Sequence, residues 1–151
     1  LSGFSDFALG TQYCKVVTNG NDDGIGSLRF AIAQCSNPED YIYIAEFIDS
    51  IFLVSDTIIL DKNLSIFHSG NEKVVIQTTS SSPVFKTNPG VLITLNNIEI
   101  HSGGVASSKA LLNNGNTILW NVDIINSIPG EIPVMNTGIL EISETVQIKN
   151  Q

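Results

Sequence analysis

A 24-residue step runs through the second half of this chain. Val74 and Ile76 are followed by Ile98 and Ile100, then by Val122 and Ile124, then by Val146 and Ile148. All eight positions are β-branched aliphatics. Val and Ile account for 32 of the 151 residues, so eight hits by chance have odds of roughly 4 in a million before the choice of period and register is allowed for. The residue inside each pair is Val75, Glu99, Asp123 or Gln147, polar in three of four cases. That alternation is what a strand with one buried and one solvated face requires.

Two further series keep step with the first. PVFKTNPG (83–90), KALLNNG (109–115) and PVMNTG (133–138) each run from apolar residues through Asn to Gly. Asn88, Asn113 and Asn136 stand two residues before Gly90, Gly115 and Gly138, so stacked turns would set their amides above one another in a hydrogen-bonded ladder, with glycine supplying the positive φ of a tight corner. VLITL (91–95), TILW (117–120) and ILEIS (139–143) give a third face. The glycines step by 25 and then 23, so the period is strict on one face and looser elsewhere. Three short strands in each repeat describe one coil of an all-β fold, a right-handed parallel β-helix. Its coils stack about 4.8 Å apart through main-chain hydrogen bonds. A β-sandwich does not predict one fixed step on three faces.

The first 40 residues differ. Residues 1–10 (LSGFSDFALG) fall outside the repeat and read as the tail of a preceding domain or a strand-exchange segment. Residues 11–40 form an N-terminal cap region and 41–151 the coils. Within the cap, GSLRFAIAQCS predicts a helix over 26–36. Ser27 is a candidate N-cap, and Leu28, Ala31, Ile32 and Cys35 fall on one face. Asn37-Pro38 stops it. A first coil left bare would expose an apolar cross-section and unpaired strand edges, and an amphipathic helix covers both. Arg29 sits in this helix, where a salt bridge to Asp22 or Asp23 or a bond to a nearby carbonyl is expected rather than a ligand contact.

The stretch from Cys14 to Gln77 resembles the N-terminal portion of bacterial secreted and cell-surface right-handed β-helix proteins. Those chains carry T-N-x-N-D-x-G-x-G-S-L-R-x-A-I, matched here by Thr18 to Ile32, then a D-x-I-x-F strand, matched from Asp40, then a segment like L-T-I-D-K-N-L-T-I-x-G, matched by Ile58 to Gly70. The likeness covers about 60 residues, and the remainder matches only as generic coils. It implies that the helix caps the solenoid and that the protein is secreted or displayed on a bacterial cell surface. In that setting the two cysteines, Cys14 and Cys35, are a candidate disulfide, with two buried thiols as the alternative.

Charge narrows the partners. Fifteen Asp and Glu against seven Lys and Arg give a net charge of −8. Such a surface disfavours nucleic acid, and no apolar run is long enough for membrane insertion. The chain begins at Leu1 and its pattern ends in mid-repeat at TVQIKNQ. It therefore reads as a processed or excised piece, with other copies of itself or further coils of a longer chain as the partner at the C-terminal end.

No catalytic constellation is legible. Glu99 and Asp123 fall one step apart on an outer face, with Val75 and Gln147 beyond them and no basic residue at those positions. Solvated side chains are the expected state, although a polysaccharide lyase or hydrolase would need such carboxylates. Asp22 and Asp23 offer carboxylates to Ca²⁺, but the spacing lacks the cation-loop pattern, so a turn is expected and no cofactor or metal is assigned. His68 and His101 read as surface or turn residues. The Thr residues form no ladder suited to ice. Trp120, the one tryptophan, points outward if its strand alternates, toward sugar or a neighbouring coil or subunit. The expectation is an extracellular structural or adhesive β-solenoid without catalytic activity, acting as a rigid surface module or a head-to-tail fibre subunit. A carbohydrate-binding or polysaccharide-degrading module is the alternative, with Trp120, Glu99 and Asp123 as its contacts and surface glycans as its ligands.

Overall fold

Residues 15–37 and 40–150 are described by the structure, a computed structural model. In chain order the elements are β1 (Lys15–Val17), α1 (Leu28–Gln34), β2 (Asp40–Ile44), β3 (Ser50–Leu53), β4 (Ile58–Leu60), β5 (Leu64–His68), β6 (Val74–Thr78), β7 (Phe85–Thr87), β8 (Leu92–His101), β9 (Leu111–Asn113), β10 (Asn116–Asn126), β11 (Val134–Asn136), β12 (Ile139–Ile142) and β13 (Gln147–Asn150). Among the described residues every strand pairing is parallel. The chain winds into a parallel β-helix of about six turns with about 24 residues per turn, right-handed as crossovers between parallel strands are.

The three faces are three ladders. The first runs β1, β2, β5, the start of β8, the start of β10 and β12. The second runs β3, β6, the end of β8, the end of β10 and β13. The third runs β4, β7, β9 and β11. The 24-residue ladder lies on the second face in the register read from the sequence: Val74 pairs with Ile98, Ile98 with Val122, and Ile124 with Ile148. Val74, Ile76, Ile98, Ile100, Val122 and Ile124 are fully buried. Each such side chain removed from water contributes about 1.5–3 kcal/mol. The last rung differs, because among the described residues no coil lies over it. Val146 is half-buried and Ile148 is 43% exposed.

The looser periods have a local cause. Leu64 pairs with Ile93, a step of 29, but Ile93 pairs with Thr117, a step of 24. The extra residues are Ser69–Lys73, a loop at the corner between the first two faces. In the next two coils that corner shrinks to one residue, Asn97 or Asn121, so β8 and β10 run on through it.

The expected asparagine ladder needs one correction. Asn113 pairs with Asn136, but the residue beneath Asn113 is Thr87, not Asn88. The corner after Thr87 spans four residues, Asn88 to Val91, against two after Asn113 and after Asn136, so counting back from the glycine slips by one. Asn113 is fully buried and fully used. It donates to Asn136 Oδ1 at 2.7 Å and Ile139 O at 2.9 Å, and it accepts from Thr117 Oγ1 at 2.8 Å and from Thr87 Oγ1. The glycine argument also changes: Gly90 has φ +82°, whereas Gly115 and Gly138 are required by close approach. A Cβ on Gly138 would lie 2.0 Å from Gly115 O.

The helix is shorter than the expected 26–36. Gly26 has φ +88° and Cys35 is extended, so only Leu28–Gln34 are helical. Ser27 caps it, its Oγ accepting from Phe30 N at 3.1 Å. Leu28, Ala31, Ile32 and Cys35 are buried where α1 packs on β1 and β2, the first strands of the stack. Cys14 and residues 1–10 lie outside the described residues. Cys35 is buried at the end of the helix.

Arg29 locks this cap to the next coil. Its Nη2 lies 2.9 Å from Asp22 Oδ1 and donates to Asp56 O at 2.6 Å, while Asp22 Oδ2 accepts from the backbone N and the hydroxyl of Ser55, the former at 2.8 Å. Burial by itself would raise the Asp22 carboxyl pKa. The bonds from Ser55 and Arg29 outweigh it and hold the carboxyl below its ordinary value of 3.8. Asp23 is engaged separately, accepting from Gly24 N at 2.7 Å.

Two measurements check this account. In urea denaturation, Ile100→Ala, in the middle of the ladder, should cost about 2–5 kcal/mol, and Ile148→Ala, on the open rung, less than about 1 kcal/mol. A carboxyl whose folded pKa is lowered adds stability that is present above its unfolded value and lost as the pH falls through the folded one. Asp22→Asn should therefore lose about 1–3 kcal/mol at pH 7 and show a flatter melting-temperature profile than the wild type below about pH 4.

Candidate functional site

The corner between the first two faces gathers most of the polar chemistry. Asn97, Asn121 and Thr145, 24 residues apart, all have positive φ, of 59°, 50° and 55°. Asparagine tolerates this left-handed conformation better than other residues with a Cβ. Asn97 is buried, and its Nδ2 donates to Gly70 O at 2.8 Å, His68 O at 3.0 Å and Glu72 O at 3.3 Å. It thereby ties down the Ser69–Lys73 loop of the coil before it. Asn121 in turn donates from Nδ2 to Asn97 Oδ1 at 2.9 Å. This second amide stack was not anticipated. Its signal was present, since Asn97 and Asn121 each precede a rung of the Val/Ile ladder, but a residue at a corner breaks the alternation of the segments on either side of it.

Beside this corner, on the outer second face, lies a cleft of about 310 Å³ lined by Asn71, Glu72, Lys73, Asn97, Glu99, Asn121 and Asp123. Glu99 and Asp123 are paired in register, flanked by Val75 and Gln147. Contrary to the expectation of no basic neighbour, both carboxylates have one. Lys73 Nζ lies 2.8 Å from Asp123 Oδ1, and His101 Nε2 contacts Glu99 Oε1. Lys73 belongs to the long corner loop and so stands off the 24-residue grid. Its side chain reaches across one coil to the next. Asp123 is 8% exposed, so it is a buried ion-pair partner rather than a solvated side chain.

Of the two histidines expected at surface or turn positions, His68 differs and His101 does not. His68 ends β5 pointing inward and is buried; its Nδ1 lies 3.0 Å from Glu72 O, and its Nε2 is buried with no hydrogen-bond partner. His101 is half-buried beside Glu99 because i and i+2 share a strand face. Among the described residues no group of three or more His, Cys, Asp or Glu side chains is placed to hold a metal ion.

Trp120 lies on a different face. It projects outward from the first face, 43% exposed, paired with Asn96. The structure therefore brings Glu99 and Asp123 together and keeps Trp120 apart from them, across the Asn97–Asn121 corner.

The corner has a direct test. Asn97→Gly removes the amide but keeps the backbone conformation free of strain, while Asn97→Ala removes the amide and adds the left-handed penalty. Thermal or urea unfolding should show a loss of about 1–3 kcal/mol for the first and about 1 kcal/mol more for the second. No family model, no curated protein and no solved structure matches the chain, so function is argued from this geometry.

Proposed function

We propose that this chain is a bacterial, secreted or cell-surface β-solenoid that works without catalysis, as a rigid module whose outer faces make adhesive contacts. The observation that carries the reading is the unbroken pairing of the first face from β1 to β12. A rod held by continuous coil-to-coil hydrogen bonds keeps its outward side chains in fixed columns, about 4.8 Å from one coil to the next. The extracellular setting rests on the likeness of the first coils to bacterial surface β-helix proteins. A Cys14–Cys35 disulfide is part of the same proposal, since it would fasten the segment before β1 to the end of α1. The last described coil exposes Met135, Ile139, Ile142 and Ile148. Further coils or another copy stacking there would give the fibre form of the module.

A second reading is favoured by the cleft. Glu99 beside His101 and Asp123 beside Lys73 put two acids and two bases on one outer face, the ingredients of acid–base chemistry on a polysaccharide. Incubation of the purified chain with a panel of acidic and neutral polysaccharides separates the two readings. New reducing ends and the ultraviolet absorbance of unsaturated uronates are the readouts. No turnover is expected. Turnover that disappears in Glu99→Ala or Asp123→Ala would replace the first reading with the second.

A further inference from the structure

The outer side of the first face carries two columns of side chains that the proposed rod does not itself use. One column is Tyr43, Phe67, Asn96 and Trp120, each in register with the next. Its neighbour is Tyr41, Ser65, Thr94 and Ile118, ending at Glu141. The rings of Tyr43 and Phe67 lie 5.4 Å apart at 57°, and Tyr43 Oη is 2.6 Å from Ser69 Oγ. Tyr41 is 48% exposed, Trp120 43% and Leu92 41%. A shallow cleft of about 200 Å³ borders the second column on the side away from the first, lined by Tyr41, Asn63, Leu64, Ser65, Leu92 and Thr94.

Three properties of this face select an occupant. The first is charge. The chain carries a net −8, yet from Tyr41 and Tyr43 to Ile118 and Trp120 neither column contains an Asp, Glu, Lys, Arg or His. An anionic polymer would be repelled by the protein as a whole and would find no cation here. The second is composition. Aromatic rings stand beside an amide and two hydroxyls (Asn96, Ser65, Thr94), which suits a ligand with apolar ring faces and polar edges. The third is spacing. Phe67 and Trp120 stand two coils apart in one straight column, about 9.6 Å, with Asn96 between them. In a β-1,4-linked pyranose chain every second ring presents the same face, at nearly that repeat.

We infer that this face binds a neutral β-linked polysaccharide lying along the solenoid axis. Sugar faces stack on Phe67 and Trp120, and their hydroxyls meet Asn96, Ser65 and Thr94. The inference deepens the adhesive reading by naming the chemistry of the partner, and it rests on that reading. It is independent of the Glu99–Asp123 cleft, which lies on another face.

The test is retention of the purified full chain on insoluble cellulose and on chitin, with polygalacturonate as the acidic comparison and amylose as the α-linked one. Retention on the neutral β-linked polymers is expected, with little on the other two. Trp120→Ala should weaken it by about tenfold without lowering the melting temperature, because the ring is half in solvent. Trp120→Tyr should recover most of the loss, and Lys86→Ala, outward on the third face, should bind as the wild type does. Failure of the folded wild type to bind either neutral polymer would overturn the inference, as would binding unchanged in Trp120→Ala or a preference for polygalacturonate. Concentration-dependent dimers abolished by Trp120→Ala, without glycan retention, would assign the face to a second copy instead. Attachment to cells or to protein-coated surfaces without glycan retention would sink the glycan inference and leave the adhesive reading standing. Cleavage of a retained polymer would overturn the non-catalytic reading alone.

Discussion

Coil-to-coil pairing is the constraint on which everything else in this molecule depends. A parallel ladder satisfies the backbone of each coil only if the next coil follows in register, and a shift of one residue would turn every inward side chain outward. On the second face, the Val/Ile ladder enforces that register by burying like residues on like: Val74 under Ile98 under Val122, and Ile76 under Ile100 under Ile124. Shape and hydrogen bonding therefore agree at every rung, and that agreement across levels is what directs a sequence to one structure.

Corners are where a solenoid is hardest to build, because the chain must turn without leaving buried polar groups unmet. This chain uses side-chain amides. Asn113 bridges Thr87, Asn136 and Thr117 inside one corner, and Asn97 collects three carbonyls of the loop before it and is bonded in turn by Asn121. Ser102 and Asn126, buried and 3.0 Å apart, serve the next corner in the same way. The asparagine-rich composition thus has a structural use at each coil, separate from any ligand.

The same corner organises the surface. Shrinking the Ser69–Lys73 loop to single residues in later coils lets β8 and β10 pass straight through, with two consequences. Lys73, at the end of the long loop, is left free to reach over the shorter coil to Asp123. The corner also divides the outer surface into an acidic, ion-paired second face and an aromatic first face whose outward columns carry no charge before Glu141. The Glu99–Asp123 cleft and the column proposed for glycan stacking therefore stand on opposite sides of one structural element.

The fold was legible because its determinants repeat. Eight Val and Ile positions at one step specify strand, face and stacking together, and the Ser27 cap with Leu28, Ala31 and Ile32 marks the helix locally. Trp120 facing outward followed from alternation alone. What sequence reading missed lies off the grid. Asn88 was placed in a ladder that Thr87 occupies, because corner lengths of four and two residues cannot be told apart before the register is known. Lys73 was not matched to Asp123, nor His101 to Glu99, and His68 was read as a surface or turn residue although it points into the core. Periodicity determined which residues face inward and how the coils stack, since burial and hydrogen bonding act at every repeat. Only the tertiary structure decided which charges meet, because a salt bridge depends on where one irregular loop falls against a coil two turns away, and no repeat in the chain encodes that distance.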